Sequence, residues 1–391
     1  MKRFFIFTLL IQIICACNQN NAVVGKIEGL TNDTIFVMRM NLHDLANAKD
    51  EFIDTIFVGK DGFFVYNPEK KDTSLYMFVP RQEIFVRHGG NYYIPNSAVL
   101  TVLLTPDEQI NISVPADRAV AAYEANGSQF NSSYGDAVSG WVDLEVACAG
   151  IEKSIDSLYR LPDVPRDIVQ SKFDEIGKLH VQIRDRKVEY IKQHSDNIVS
   201  GYLLTRLPND EAEKLLPNLT DRVKSSEIKP LLDSKIERIL RQRQKDNAAE
   251  RVIEGAVAPD FILENSEGHN FSLSSLRGKP VVLDFWGTWC GYCIKGIPDM
   301  KKYYDKYNGK VEFVSIDCRD KKENWIAALK KYDMNWIHVY NDKEGTDDIT
   351  VRYGIKGFPT KYIVDQNGII VAVFLGETPA FYQKMDSLFG K

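Results

Sequence analysis

Apolar positions along the chain change their period twice. From Val23 to Pro115 they come in short runs: Val24–Leu30, Thr34–Met40, Ile53–Val58, Phe63–Tyr66, Tyr76–Val79, Ile84–Val86, Val99–Leu104 and Ile110–Val114. Turn signals such as Lys60-Asp61-Gly62 separate them. Regular short strands of this kind predict an antiparallel sandwich or barrel. From Gln129 to Asn247 the spacing lengthens. Phe173, Ile176, Leu179 and Ile183 recur at three and four residues, with Tyr190 a heptad further on. That is the period of helices, and Pro162, Pro165, Pro208, Pro217 and Pro230 divide them. Ile228–Arg243 reads as a basic amphipathic helix, and the polar stretch Lys245–Val257 as the approach to a further domain.

Beyond that stretch, strand and helix patterns alternate. A hairpin at Asn265–Leu276 precedes strands at Val281–Phe285, Val311–Ile316, Trp336–Tyr340, Thr360–Val364 and Ile369–Phe374. Helices are predicted from Cys290, over Lys322–Tyr332, near Val351 and around Phe381–Phe389. This order predicts a mixed sheet covered on both faces. The fold class is therefore multidomain α+β, with an N-terminal antiparallel β domain, a helical middle and a C-terminal α/β domain.

Composition adds limits. The 391 residues suffice for two or three cores. Net charge is −5, and residues 256–391 carry 18 basic and 18 acidic side chains, so the deficit lies upstream. No segment is basic enough to suggest nucleic-acid binding. Met1-Lys2-Arg3 followed by the apolar run Phe4–Ile14 has the form of a signal peptide, too short to span a bilayer. Ile14-Cys15-Ala16-Cys17 resembles a bacterial lipobox with Cys17 as the lipidated residue; a plain secretory signal is the competing reading. Either reading implies export.

The chemistry concentrates in Trp289-Cys290-Gly291-Tyr292-Cys293, between a strand-like and a helical run. Two thiols at this spacing can close a disulfide across a first helical turn. Cys290 at the helix start meets the N–H groups and dipole that favour a thiolate. Cys293, one turn in, is expected to be more buried and placed to resolve a mixed disulfide. A lone CxxC is also half of a zinc site, but structural zinc takes four ligands. Cys148, Cys318 and scattered histidines offer no such spacing, so no metal and no cofactor are expected. Both remaining cysteines read by default as buried free thiols, although pairing between them stays open. Asp284 is an acid inside an apolar strand, where an unpaired charge is costly. Pro359 opens a strand, a position that suits a cis bond or an ordinary turn.

Several features together resemble the thioredoxin superfamily. They are Phe285-Trp286-x-x-Trp289-Cys290-x-x-Cys293, Asp284 six residues before the first cysteine, Pro298 eight after it, the Gly357-Phe358-Pro359-Thr360 loop, and Gly376. Ala258-Pro259-Asp260-Phe261 and the hairpin that follows look like the TlpA/ResA-like branch. The likeness covers roughly residues 251–391. With the upstream patterns it gives a division into a signal peptide with lipobox (1–17), a β-sandwich-like domain of unknown function (22–120), a helical region (121–250) and, by the resemblance, a thioredoxin-like domain (251–391). It also implies catalysis by Cys290, Cys293 and Asp284, with Asp284 accepting the proton of Cys293. Trp289, Gly291, Tyr292, Phe358 and Pro359 would meet the substrate, the last two by main-chain pairing.

The activity implied is disulfide reduction in the cell envelope of a Gram-negative bacterium, on the periplasmic side. Disulfide-containing exported proteins would be substrates, and a membrane thiol-disulfide protein the electron donor. One departure stands out. Thioredoxin has a lysine near its buried acid on the next strand, whereas Val311-Glu312-Phe313-Val314 has none. Three other functions remain open. The pair could serve an oxidant or isomerase. The Ala-Pro-Asp-Phe opening also occurs in peroxiredoxins of the AhpC/TSA type, but Thr288 stands two residues before Cys290, not three, and their proline is missing. Last, the upstream regions could make this a partner-binding adaptor.

Overall fold

The computed structural model describes residues 23–390 apart from 31–33, 46–51, 69–71, 107, 344 and 346. The lipobox with Cys17 lies outside the described residues. The chain divides into two compact units, Met1–Lys235 and Ile236–Lys391.

In the first unit, strands β1 (Val23–Ile27), β2 (Thr34–Asn41), β3 (Phe52–Phe57), β4 (Phe63–Tyr66) and β5 (Ser74–Pro80) are followed by a small hairpin, β6 (Phe85–Val86) and β7 (Tyr92–Tyr93). β8 (Leu100–Leu104), β9 (Ile110–Val114) and β10 (Glu124–Ala125) complete the set. Two four-stranded sheets result, β10-β9-β1-β4 and β3-β2-β5-β8. Val23, Ile27, Phe64 and Ile112 from one sheet share a core with Ile35, Val37, Phe78 and Leu100 from the other. This is how alternating strands build a sandwich. One pairing departs from the antiparallel expectation. β1 and β9 run parallel, Val23 opposite Ile110. The excursion through the other sheet is long enough to act as the crossover that parallel strands require.

Helices α1 (Gln129–Ser139), α2 (Val142–Tyr159), α3 (Arg166–Gln193), α4 (Ile198–Arg206), α5 (Asn209–Leu215) and α6 (Asp221–Lys224) follow. In α3 the buried stripe is Val169, Ile176, Ile183 and Ile191. Phe173 belongs to the same periodic run but is 42% exposed, because the stripe that packs has heptad spacing and Phe173 falls off it. α7 (Lys229–Arg251) runs on through half of the stretch read from sequence as a polar approach. Lys, Arg, Gln and Ala are good helix formers, so polarity there marks a solvated helix and not a loop.

The second unit is a seven-stranded sheet built from β11 (Ile262–Asn265), β12 (Asn270–Ser272), β13 (Val281–Trp286), β14 (Glu312–Cys318), β15 (Ile337–Asn341), β16 (Thr360–Val364) and β17 (Ile370–Leu375). Their order is β12-β11-β15-β14-β13-β16-β17. β13, β14 and β15 are parallel, while β16, β17 and β11 run against their neighbours. Helices α8 (Gly291–Tyr307), α9 (Lys322–Tyr332), α10 (Ile349–Arg352) and α11 (Pro379–Phe389) complete the unit.

Strand alternation sorts the side chains between two cores. Leu283, Phe285, Val314, Ile316, Tyr362 and Val364 enter one with Ile349 and Tyr353. Val282, Trp286, Phe313 and Ile363 enter the other with Cys290, Cys293, Trp325 and Phe381. β13 is buried at every position, as a central strand covered on both faces must be. By the same two-residue period, Asp284 faces the core that contains the cysteines.

Candidate redox site

Cys290 is the N-cap of α8, just past the end of β13. The structure joins it to Cys293 in a disulfide, with the two Cα atoms 5.3 Å apart. The Cys293 N–H also donates to Cys290 Sγ over 3.2 Å. On reduction the same first-turn donor would favour negative charge on Cys290. The two cysteines are nearly equal in exposure, 6% and 5%. The expectation that Cys293 is the more buried is therefore corrected. In the oxidised state the bond draws both sulfurs into one apolar core, and what separates them is position along the helix.

The loop ahead of Cys290 is fixed from β14. Thr288 donates its backbone N–H to Asp320 Oδ2 over 2.6 Å, and its hydroxyl to the other oxygen. Trp289 Nε1 donates to the Cys318 carbonyl at 2.9 Å. That contact lays the indole over Gly287, where any Cβ would collide with the ring. Trp289 remains 48% exposed, and Tyr292 70%. Gly291, beside them, has open space where a side chain would be. The Phe358 ring stands edge-on to Trp289, with centroids 5.1 Å apart. Arg319, at φ 69°, holds its guanidinium 5.8 Å from the Trp289 ring and 5.3 Å from Phe358. Sequence reading missed Arg319. Nothing in its local pattern sets it apart, because its role comes from a left-handed turn at the end of β14.

The Phe358–Pro359 peptide is cis. The Pro359 carbonyl accepts from the Gly376 N–H at 2.7 Å, and Gly376 adopts φ 83° to present it. This ties the proline loop to the end of β17. Trp289, Gly291, Tyr292 and Phe358 thus border the disulfide together, with Pro359 buried behind them.

Under the cysteines a polar row crosses the sheet. Asp284 lies opposite Ser315 on β14 and opposite Lys361 on β16. Lys361 Nζ is 3.2 Å from Asp284 Oδ1 and 2.8 Å from Glu377 Oε2. Tyr382 donates its hydroxyl to Glu377 Oε1 at 2.6 Å. Ser315 donates to Asp284 Oδ2 at 3.3 Å while accepting from Trp336 Nε1 at 2.9 Å. Asp284 and Lys361 are 6% and 2% exposed. Burial raises the Asp284 carboxyl above the usual range against the pull of Lys361. Burial also works against the Lys361 charge, but Asp284 and Glu377 outweigh it and raise its affinity for a proton.

Lys361 changes the reading of the missing lysine. The cation is present, but it comes from β16, on the other side of β13. Its signal was a charge inside the apolar run Thr360–Val364, two residues after Pro359.

Cys148 and Cys318 are both free and buried. Among the described residues no cluster of His, Cys, Asp and Glu could hold a metal ion. Among them, too, no helix is long and apolar enough to cross a membrane.

A dithiol pair at a helix start, a cis-proline loop and a buried acid on the central strand of a mixed sheet define the thioredoxin fold. Residues 255–373 match the AhpC/TSA family. The thiol-disulfide oxidoreductase ResA of Bacillus thuringiensis is 36% identical over 124 residues, which are 32% of this chain and 70% of the relative. ResA of Bacillus subtilis is 34% identical over 129 residues, 32% of this chain and 70% of that one. Among solved structures, the thioredoxin domain of a thiol-disulfide oxidoreductase from Bacteroides vulgatus is 28% identical. That match covers 35% of this chain and 97% of the other, with a TM-score of 0.33. The chain belongs to the ResA-like thiol-disulfide oxidoreductases of the thioredoxin superfamily.

Proposed function

We propose that this protein reduces disulfides of exported proteins on the periplasmic side of a Gram-negative cell envelope, anchored by lipid on Cys17. The observation that carries the redox reading is the Cys290–Cys293 disulfide at the start of α8, bordered by the cis-proline loop. In the reduced enzyme, Cys290 thiolate attacks one sulfur of a substrate disulfide. A mixed disulfide forms, the substrate S–S bond breaks, and the departing thiolate takes a proton from water. Cys293 then gives its proton to Asp284 and attacks Cys290 Sγ. The Cys290–Cys293 bond forms, the second substrate thiol leaves, and two electrons have passed to the substrate. A membrane dithiol protein returns them to the enzyme.

Trp289, Gly291, Tyr292 and Phe358 supply the apolar surface for the substrate segment around its cysteine. Because the Pro359 carbonyl is already bonded to Gly376, main-chain pairing on this loop falls to Phe358. The direction of electron flow rests on the ResA likeness; operation as an oxidant is the alternative. Redox titration of Cys290–Cys293 against glutathione, with an insulin-reduction assay on the full chain, decides between them. A potential near about −270 mV with insulin turnover supports the reductase. A value near about −120 mV without turnover refutes it.

A further inference from the structure

We infer that Lys361 and Glu377 are positioning residues that set, in opposite senses, the proton affinity of Asp284. The meaning for catalysis rests on the Cys290/Cys293 cycle proposed above; the electrostatic assignment does not.

The argument starts from register. Ser315, Asp284 and Lys361 occupy neighbouring places on β14, β13 and β16, on the sheet face that carries the cysteine helix. Every other side chain of β13 is apolar. A buried carboxylate and a buried ammonium are each expensive, and their attraction repays this only when the remaining polar atoms find partners. Here the pair is not closed on itself. The single ammonium of Lys361 is divided between two carboxylates, 3.2 Å from Asp284 and 2.8 Å from Glu377. Glu377 is held from its other side by Tyr382. Room for its carboxylate exists because α8 has Gly296 there; a Cβ at that position would overlap the Glu377 carboxylate carbon and oxygens. Asp284 Oδ1 is buried and makes no hydrogen bond beyond its ion-pair contact.

The net charge of the three groups gives the sign. With Asp284 ionised they sum to one negative charge, and with Asp284 protonated to zero. Lys361 favours the ionised form, Glu377 the protonated one. The groups facing Asp284 from each packed element are few. β14 offers the Ser315 hydroxyl, α8 the disulfide, β16 Lys361, the segment after β17 Glu377, and α11 the Tyr382 hydroxyl. His338, opposite Ser315 on β15, stays neutral, since burial depresses it to about 3. Two further carboxyls lie close: Asp317, two residues past Ser315 on the same face of β14, is buried and raised to about 9, so it is neutral below that pH, and Asp299 of α8 acts on Tyr382; both are the same in either variant. A carboxyl that must take the Cys293 proton and later release it needs an affinity near working pH. Burial alone would push it too high and Lys361 alone would hold it too low.

The test is the carboxyl titration of Asp284 in the oxidised full-length protein, read by infrared difference spectroscopy with Asp284→Asn identifying the band. Lys361→Met should move its midpoint up by about one to three pH units, and Glu377→Gln should move it down by about one. The pH limb of mixed-disulfide resolution should move the same way in each variant. Glu377→Gln is isosteric; its one amide oxygen can still accept from Lys361, and its NH2 group, in the place of the other oxygen, can donate to the Tyr382 hydroxyl once that hydroxyl turns its own proton away. It therefore carries the test if Lys361→Met fails to fold by circular dichroism. Midpoints that stay put, or shift in the same direction in both variants, overturn the inference. Opposite shifts in a protein that reduces no disulfide keep the inference and sink the proposed function. Active protein with unmoved midpoints does the reverse.

Discussion

Gly296→Ala is a one-carbon test of how tightly the buried charges are held. Gly296 lies inside α8, and its helical backbone needs no glycine. On helix propensity alone alanine should stabilise by about 1 kcal/mol. The added methyl, however, would land on the Glu377 carboxylate. Glu377 would have to leave Lys361 or Tyr382, costing a hydrogen bond to a charged group, about 1.5–3 kcal/mol. The balance is a loss of about 0.5–2 kcal/mol, or about 1–8 °C in the unfolding transition of the C-terminal unit. Thermal unfolding of the oxidised full chain measures it. Gly291→Ala is the control, since nothing lies within 4 Å of a Cβ there, and it should not lower Tm. In a Glu377→Ala background, Gly296→Ala should turn stabilising. If Gly296→Ala raises Tm in the wild-type background, Glu377 moves aside at no cost and the reasoning fails.

Other outcomes follow from the same geometry. Cys293→Ser should accumulate reducible high-mass complexes on non-reducing gels and Cys290→Ser none; the opposite pattern reverses the assigned roles. Cys17→Ser should abolish palmitate labelling and membrane fractionation, and labelling that persists removes the lipid anchor. Asp317 has no solvent exposure and is raised to about 9 by burial and by Asp320 beside it. Its unfolded value is about 3.9, so folded protein keeps a proton that unfolded chain releases, and stability should fall as pH climbs between about 4 and about 9. Asp317→Asn should flatten that slope in urea titrations across the range, and an unchanged slope counts against a protonated Asp317.

Legibility in the sequence followed the range of the interactions. α9 was readable to the residue, because its apolar period and flanking lysines are local. Five strands of the C-terminal sheet, β13 to β17, were placed to within about two residues for the same reason, whereas the hairpin expected at Asn265–Leu276 begins earlier, with β11 at Ile262–Asn265. The parallel pairing of β1 with β9 was not, since it joins segments more than eighty residues apart and no local pattern encodes strand direction. The cysteine pair and Asp284 were legible because chemistry-bearing residues stood inside a dense motif. Lys361 was not legible because a partner for the buried acid was expected on one neighbour of β13, whereas the sheet gives that strand two. Glu377 lies past the end of β17, and only its tertiary contacts with Lys361, Tyr382 and the gap at Gly296 give it meaning.

That miss bears on what the buried row is for. A core selected for stability alone would fill the places of Asp284 and Lys361 with apolar side chains, which often match or exceed a buried ion pair in stability. Here the chain retains a carboxylate, an ammonium and a second carboxylate, opens a gap in α8 to admit the third, and directs two hydroxyls at them. Local rules are broken together at one place, on the sheet face that carries the disulfide, while the rest of β13 obeys them. Violations clustered in this way mark function. The arrangement also separates two tasks. On the function proposed above, Trp289, Tyr292 and Phe358 would meet the partner at the surface, and the buried charges would govern the proton below. Substitutions at the surface should therefore alter which thiol-disulfide partners react, and substitutions in the row should alter the pH at which the exchange runs.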